Sequence, residues 1–449
     1  MAKTLTIEPI TRITGHAKIV VDLDDNGNVA DAKIVTTSMR GFEQFCIGRP
    51  AEEIPRIANR ICGISSWDNH LASNKAIDKI CGVTLPPAGE KLRRLMQHLT
   101  WIANKTLHFY FLIAPDYMIG PEAESRNVFT IFKSNPELGT KVIKMRQLAA
   151  MLVEHFSGKV IHPMAAVPGG FSKPMIESER EEILKGAEEL LEFAKFSMEL
   201  AKTEMLSKYM DFIEQIGVIN TGFLGSITDD GSWEIYDGKL RLMKADGNCE
   251  DFSCEQYTDY IDQHIEPWTY SKFPYVKNWG EFGLQSDNSS IYRAGALARI
   301  NVCEKMATPL AQAELEEFRD KFSRPCQYTM LYPYASLIEM LANTEQALAL
   351  LNDTEITDKN VRVPVEAKAG HGVGCVESIQ GTLIHDYETD KDGFVTKTNI
   401  ILGATHNTAA MNLSLKQTAQ TLIKEGKYDQ GSINRLEMVI RAYNPSFQD

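Results

Sequence analysis

The sequence predicts an α+β fold, mainly helical, in which a core of long helices carries β hairpins at its edges. Three observations lead there. Apolar residues recur at helical spacing over several long stretches. The turn pairs Asn26-Gly27 and Asp392-Gly393 each sit between alternating runs, the pattern of a β hairpin. Hydrophobic residues fill 43% of the 449 positions, enough for a substantial core.

Lys18 to Thr36 alternates apolar and polar residues around Asn26-Gly27 and reads as a small antiparallel sheet. From Lys91 to Ile113 the residues Leu92, Leu95, Met96, Leu99, Ile102 and Ala103 follow a helical stripe, after Pro86-Pro87 punctuates the start. The aromatic run His108 to Phe111 at its end belongs in a core. A second helix is expected from about 140 to 156. A third, 179 to 205, is expected to start on a capping box at Ser178 and Glu181. Turn signals Asp237-Gly238 and Asp246-Gly247 place a β element between about 233 and 260. Helices follow at 309–322 and 334–351, then a hairpin from Gly381 to Ile401, then helices at 408–425 and 432–442. The whole reads as a single domain over 1–449, with a β-rich part at 1–60, a helical core at 61–225, a peripheral β-containing insertion at 226–305, and helical core with a C-terminal hairpin at 306–449.

The net charge of -13 and a pI near 5.4 argue against nucleic acid as a partner, since phosphate binding needs a basic face. No apolar run approaches the roughly 20 residues that cross a membrane, and the first residues lack the apolar stretch of a secretory signal. A cytoplasmic protein is expected. Eight cysteines are scattered, with only Cys249 and Cys254 close together, so no disulfide framework or iron–sulfur cage is expected in this chain.

Several motifs keep a fixed order along the chain. They are Glu8-Pro9-x-Thr11-Arg12-Ile13, Arg40-Gly41-Phe42-Glu43, Arg60-x-Cys62-Gly63, His162-Pro163 with Pro168-Gly169-Gly170, Gly381-Thr382 and Arg441-Ala442-Tyr443. Together they resemble the large subunit of nickel–iron hydrogenases, above all the soluble, methyl-viologen-reducing type associated with heterodisulfide reductase in anaerobes. That resemblance implies the hydrogenase large-subunit fold. It also implies a centre in which four cysteine thiolates hold nickel, two of them bridging to iron, because soft thiolates suit these metals.

Position by position, the resemblance also implies losses. Cys62 stands at the first ligand position, but Ser65 replaces the second thiolate and Asn69 the nearby histidine, with His70 one residue late. Ser446 and Asp449 replace the last two thiolates. Thr14 stands where the family has a glutamate that takes protons, and Gln380 where it has an arginine over the metals. The chain stops at Asp449, so the family's final histidine and processed extension are not expected. One thiolate cannot hold a binuclear centre, so no catalytic residue, metal or other cofactor is expected in this chain. Ser65, Asn69, Gln380 and Ser446 are expected to satisfy one another by hydrogen bonds in the vacated cavity.

Each remaining candidate has a plainer reading, which is favoured. Cys62 packs as a small apolar residue. Glu43, at a family position for a divalent ion, forms an ion pair or hydrogen bond. His16, His70 and His162 have their nitrogens satisfied within the fold. Arg12, Arg40 and Arg60 gather near the vacated site or pin loops. The acidic stretch Glu177 to Glu192 is a solvated face. Cys249 and Cys254 are two thiols rather than a metal pair.

The expected role is therefore a non-catalytic subunit of a multisubunit redox complex, supporting electron transfer. Its iron–sulfur small subunit would hold the clusters, with heterodisulfide reductase-like or flavin-containing subunits as further partners. The alternative is a chain that is still an enzyme, either an atypical hydrogenase or one with a reused redox-substrate pocket such as a quinone site.

Overall fold

The computed structural model describes residues 3–39, 41–285 and 289–447. Four long helices close a ring: Pro87–Leu107 packs on Pro136–Ser157, which packs on Glu177–Ala201, which packs on Tyr332–Asn352, which returns to Pro87–Leu107. The apolar stripe from Leu92 to Ala103 is buried, as its spacing predicts. The helix begins earlier than expected, with Pro87 in the first turn, where a missing N–H costs nothing. It ends at Leu107 and widens into a π-helical turn, His108–Ile113, in which His108, Phe109 and Tyr110 are buried. Asn135 caps Pro136–Ser157, its Oδ1 accepting from the Leu138 N–H at 3.1 Å.

The capping expectation for Glu177–Ala201 needs correction. Ile176 is the N-cap residue, Ser178 lies inside the helix, and Glu179 Oε2 accepts from the Ile176 N–H at 3.1 Å. The helices Pro309–Phe322, Thr408–Leu422 and Gln430–Ala442 lie where they are predicted, within a few residues.

The expected N-terminal hairpin is Lys18–Leu23 with Val29–Val35, and Lys3–Ile7 adds a third strand beside Lys18–Leu23. Burial alternates along Lys18–Leu23, the period-two pattern read from the sequence. A four-stranded sheet runs in the order Tyr292–Arg293, Gly222–Ile227, Lys239–Met243, Cys249–Phe252. Within 226–305 this sheet is exposed at Cys249, Glu250 and Asp251, whereas the helix Ala296–Val302 is buried along its whole length.

The hairpin Gly381–Thr389 with Val395–Ile401 turns at Asp392-Gly393 as read, and it gains an unforeseen third strand, Gly370–Ser378. That strand lies on a helix the sequence reading also missed, Ser66–Cys81. The contact is close enough that a Cβ on Gly374 would fall 2.0 Å from the Ala72 carbonyl oxygen, so only glycine fits there.

Beneath these layers lies a buried ionic network. Arg299 donates to Glu339 Oε2 and Glu377 Oε2, each at 2.8 Å, and Lys105 Nζ reaches Glu339 at 2.7 Å. All four side chains are at most 1% exposed, so each charge depends on its partners for the solvation that water would give.

Candidate functional site

The two ends of the chain meet at the site. Ser446–Phe447 pairs in parallel with Thr14–Gly15, Ser446 opposite Thr14. Gly15 has φ +84°, and a Cβ there would fall 2.3 Å from the Phe447 carbonyl oxygen, so this bridge needs glycine twice over. The approach is held by buried ion pairs. Arg441 Nε donates to Asp116 Oδ2 at 2.9 Å, Arg12 and Arg126 pair with the same carboxylate, and Arg441 Nη1 donates to the Thr11 carbonyl at 2.9 Å. Burial lowers the Arg12 pKa to about 10. The N-terminal and C-terminal motifs are thus one structural unit.

Cys62 is 2% exposed and its Sγ lies 3.2 Å from Ser446 Oγ, a thiol–hydroxyl hydrogen bond. Ser65, just before the Ser66–Cys81 helix, accepts from Asn69 Nδ2 at 3.2 Å through Oγ and at 2.9 Å through its carbonyl. Asn69 Oδ1 in turn accepts from His385 Nε2 at 3.1 Å. A neutral imidazole donates once and accepts once, so His385 Nδ1 accepts from the Tyr387 hydroxyl, 2.5 Å away. Tyr387 OH lies 3.2 Å from Ser73 Oγ. Burial holds the His385 pKa down to about 3, which keeps it neutral.

The expected ring of Ser65, Asn69, Gln380 and Ser446 does not form. Two separate pairs take its place, Cys62 with Ser446 and Ser65 with Asn69. Gln380 lies in the tight turn between Gly370–Ser378 and Gly381–Thr389, where Ser378 Oγ donates to its Oε1 at 3.4 Å and Asn407 Nδ2 donates to its carbonyl at 3.0 Å. Its side-chain Nε2 is buried and without a partner among the described residues. Asp449 and Arg40 lie outside the described residues.

Glu43 makes an ion pair with Lys272, 3.1 Å from Nζ, and accepts from the Ile400 N–H at 2.8 Å. His70 is buried between the Pro55 and Ala166 carbonyls, at 2.9 and 2.8 Å. Burial lowers its pKa to about 4 against the pull of both oxygens. His162 Nδ1 donates to the Asn59 carbonyl at 2.8 Å, whereas His16 is exposed. Of the two described arginines of the expected cluster, Arg12 is committed to Asp116 and Arg60 is exposed. Cys249 is exposed, and Cys254 is buried beside Cys375 instead.

Among the described residues, the donors at the ligand positions are one sulfur and two hydroxyls, each engaged in a hydrogen bond. A serine hydroxyl keeps its proton where a thiol can lose one, and its hard oxygen suits nickel poorly. These donors do not fit ligation through four thiolates. Among the described residues, no group of three or more His, Cys, Asp or Glu side chains is placed to hold a metal ion.

Sequence reasoning missed His385, Asp68, Arg299 and Glu339. Asn69 and His385 are 316 positions apart, and no linear spacing signals their meeting. Asp68, next to Asn69, is fully buried, takes a hydrogen bond from Trp101 Nε1 at 3.0 Å, and has its pKa raised to about 7 by burial. Its polar neighbours Ser65, Ser66, Asn69 and His70 gave no sequence signal that it is buried.

Comparisons with known proteins agree with this architecture. A family pattern described as Nickel-dependent hydrogenase matches residues 40–128, and one described as HoxL-like matches residues 4–39. The chain is 43% identical to a vhu subunit of the F420-non-reducing hydrogenase of Methanocaldococcus jannaschii, covering 94% of this chain and 99% of that one. It is 33% identical to NAD-reducing hydrogenase HoxS subunit beta of Cupriavidus necator, over 99% and 94%. A solved NAD+-reducing [NiFe]-hydrogenase in the H2-reduced state superposes with a TM-score of 0.93 at 34% identity, over 99% of this chain and 98% of that one. Shared motifs, shared architecture and full-length similarity together establish that the chain belongs to the nickel-dependent hydrogenase large-subunit family.

Proposed function

We propose that this family member carries no nickel–iron centre and serves as a structural subunit that supports electron transfer in a multisubunit redox complex. The observation that supports this most is the Cys62–Ser446 contact at 3.2 Å. The only thiol at the ligand positions spends its hydrogen-bonding capacity on a hydroxyl, and Ser65 is committed to Asn69.

The partner in this reading is an iron–sulfur small subunit that holds the clusters. Ile143, Arg146, Ala150 and Met151 share one face of Pro136–Ser157 by helical spacing, and Ile143 and Met151 are 45% and 59% exposed. Val160 and Ile161 extend this apolar surface to His162. Arg146, half-buried on the same face, adds a positive charge beside this apolar surface. Membership of a larger cytoplasmic assembly with heterodisulfide reductase-like or flavin-containing subunits is part of the same proposal. No helix of the described residues is long and apolar enough to cross a membrane.

The test is elemental analysis of the complex purified from its native source, together with infrared spectroscopy in the region of metal-bound carbon monoxide and cyanide. The expected result is no stoichiometric nickel, no such bands, and iron accounted for by the partner's clusters. Nickel equal to the chain, accompanied by those bands, overturns the proposal.

A second reading, that the chain is still an enzyme, is favoured by one observation. A cavity of about 150 Å³ adjoins Ile61, next to Cys62, and is walled by Phe42, Glu43, Tyr270, Lys272 and Leu402. An apolar wall with one ion pair is the kind of surface a redox substrate uses. Saturable binding of a quinone analogue that Tyr270→Ala abolishes would favour this reading over the first.

A further inference from the structure

Away from Cys62, a second pair of cysteines stands in contact. Cys375 lies on the Gly370–Ser378 strand, and Cys254 starts a short helical turn, Cys254–Gln256, that packs against that strand. The Cys375 and Cys254 side chains are hydrogen-bonding neighbours. Cys254 is 6% exposed, whereas Cys375 is partly open to a cavity of about 260 Å³ that both residues line.

Three lysines, Lys75, Lys79 and Lys239, line the same cavity, and Lys239 pairs with Asp229 at 2.8 Å. Lys75, from the Ser66–Cys81 helix, acts on Cys375 and pairs with Asp237 at 3.3 Å, and Lys79 pairs with Glu255. Positive charge beside a sulfur favours the thiolate, the form that attacks a disulfide. The hydrogen bond to Cys254 and burial raise the Cys375 pKa, and Lys75 opposes that rise. A metal is a poor occupant, because the nearby carboxylates are committed to lysines and no group of three ligands forms among the described residues.

We propose that Cys254 and Cys375 form a reversible redox pair, oxidised to a disulfide by exchange with a low-molecular-weight disulfide that enters this cavity. Cys375, the sulfur on the wall, attacks one sulfur of the incoming disulfide. A mixed disulfide forms, the incoming S–S bond breaks, and the expelled thiolate takes the Cys375 proton. Cys254 then attacks the Cys375 sulfur, forming the internal bond and expelling the second thiolate, which takes the Cys254 proton. Two protein thiols are oxidised, one small disulfide is reduced to two thiols, and atoms and electrons balance. The bond would fasten the turn after the Cys249–Phe252 strand to the strand that leads into Gln380.

The test uses the full chain, reduced and then incubated with oxidised glutathione, followed by alkylation and peptide mass spectrometry. The expected result is loss of alkylation at Cys254 and Cys375 together, a cross-linked peptide joining them, and recovery with reductant. The melting temperature should rise by about 5 °C, since the bond closes a loop of over a hundred residues. In Cys254→Ser the same treatment should leave one stable glutathione adduct on Cys375. The proposal is overturned if both thiols stay alkylatable after oxidation, or if wild-type protein accumulates adducts without the internal bond.

Discussion

Replacing Gly15 with alanine should open the site at its edge. Gly15 has φ +84°, and a left-handed backbone costs a residue with a Cβ about 1–2 kcal/mol. The new Cβ would also fall 2.3 Å from the Phe447 carbonyl oxygen, well inside van der Waals contact, so the Thr14–Gly15 and Ser446–Phe447 bridge must separate. Conformational cost alone raises the population of the opened form by roughly 5- to 30-fold. Cys62 is 2% exposed and in contact with Ser446, so its alkylation should accelerate by at least that factor when opening is fast relative to labelling. Pulsed iodoacetamide with peptide mass spectrometry reads the rate, and Cys303, fully buried beneath Arg319, is the internal reference. An unchanged Cys62 rate in a folded Gly15→Ala protein would refute the claim that the joined chain ends shield this thiol.

Other perturbations test the buried charges. Asp68 has a folded pKa of about 7 against an ordinary value near 4, so the native state holds an extra proton between these pH values and loses stability as pH rises through that window. At about 1.4 kcal/mol per pKa unit the effect is on the order of 4 kcal/mol, and Asp68→Asn should flatten the pH dependence of denaturant unfolding between pH 4 and 7; parallel curves for the two proteins would contradict this. Arg299→Met leaves Glu377 buried without its guanidinium and should cost about 3–5 kcal/mol in the same assay, far more than an exposed arginine such as Arg56. Gln380→Met removes a buried amide nitrogen that has no protein partner among the described residues, so stability should hold or rise by about 1 kcal/mol, and a marked loss would mean the amide is engaged by something other than these residues.

The long helices were legible because their inward faces are apolar and their outward faces are not. Ser66–Cys81 was illegible for the opposite reason. Asp68, Asn69, His70, Ser73, Asn74 and Asp78 are buried alongside Trp67 and Leu71, so a helix enclosed on most sides carries polar groups inward and shows no apolar stripe. Its partner strand, Gly370–Ser378, was hidden by glycines that weaken strand propensity yet are required for the close approach to Ala72. At the site, the family resemblance brought Cys62 and Ser446 together. It could not foresee that Gln380 would be held by Ser378 and Asn407 within its own turn. Nor could it supply His385, which completes the hydrogen bonding of Asn69.

A body built to hold a metal centre needs another source of stability if it is to persist without one, since ligand binding ordinarily contributes to folding. Supports that do not depend on a metal are visible in this fold, away from Cys62. Asp116 gathers Arg12, Arg126 and Arg441 and ties both chain ends to the helical core. Glu339 and Glu377 join Arg299 and Lys105 at the centre, and Gly374 lets a strand settle directly on the Ser66–Cys81 helix. None of these contacts passes through Cys62, whose hydrogen bond to Ser446 is worth about 1 kcal/mol on its own. Substitutions at the ligand positions therefore leave the fold's main supports in place. The exposed face along Pro136–Ser157 keeps its geometry for the same reason, since it is set by packing against Pro87–Leu107 and Glu177–Ala201 and not by the chemistry at Cys62. This separation between what holds the body and what would hold a metal makes a scaffold role physically coherent for a hydrogenase-type subunit.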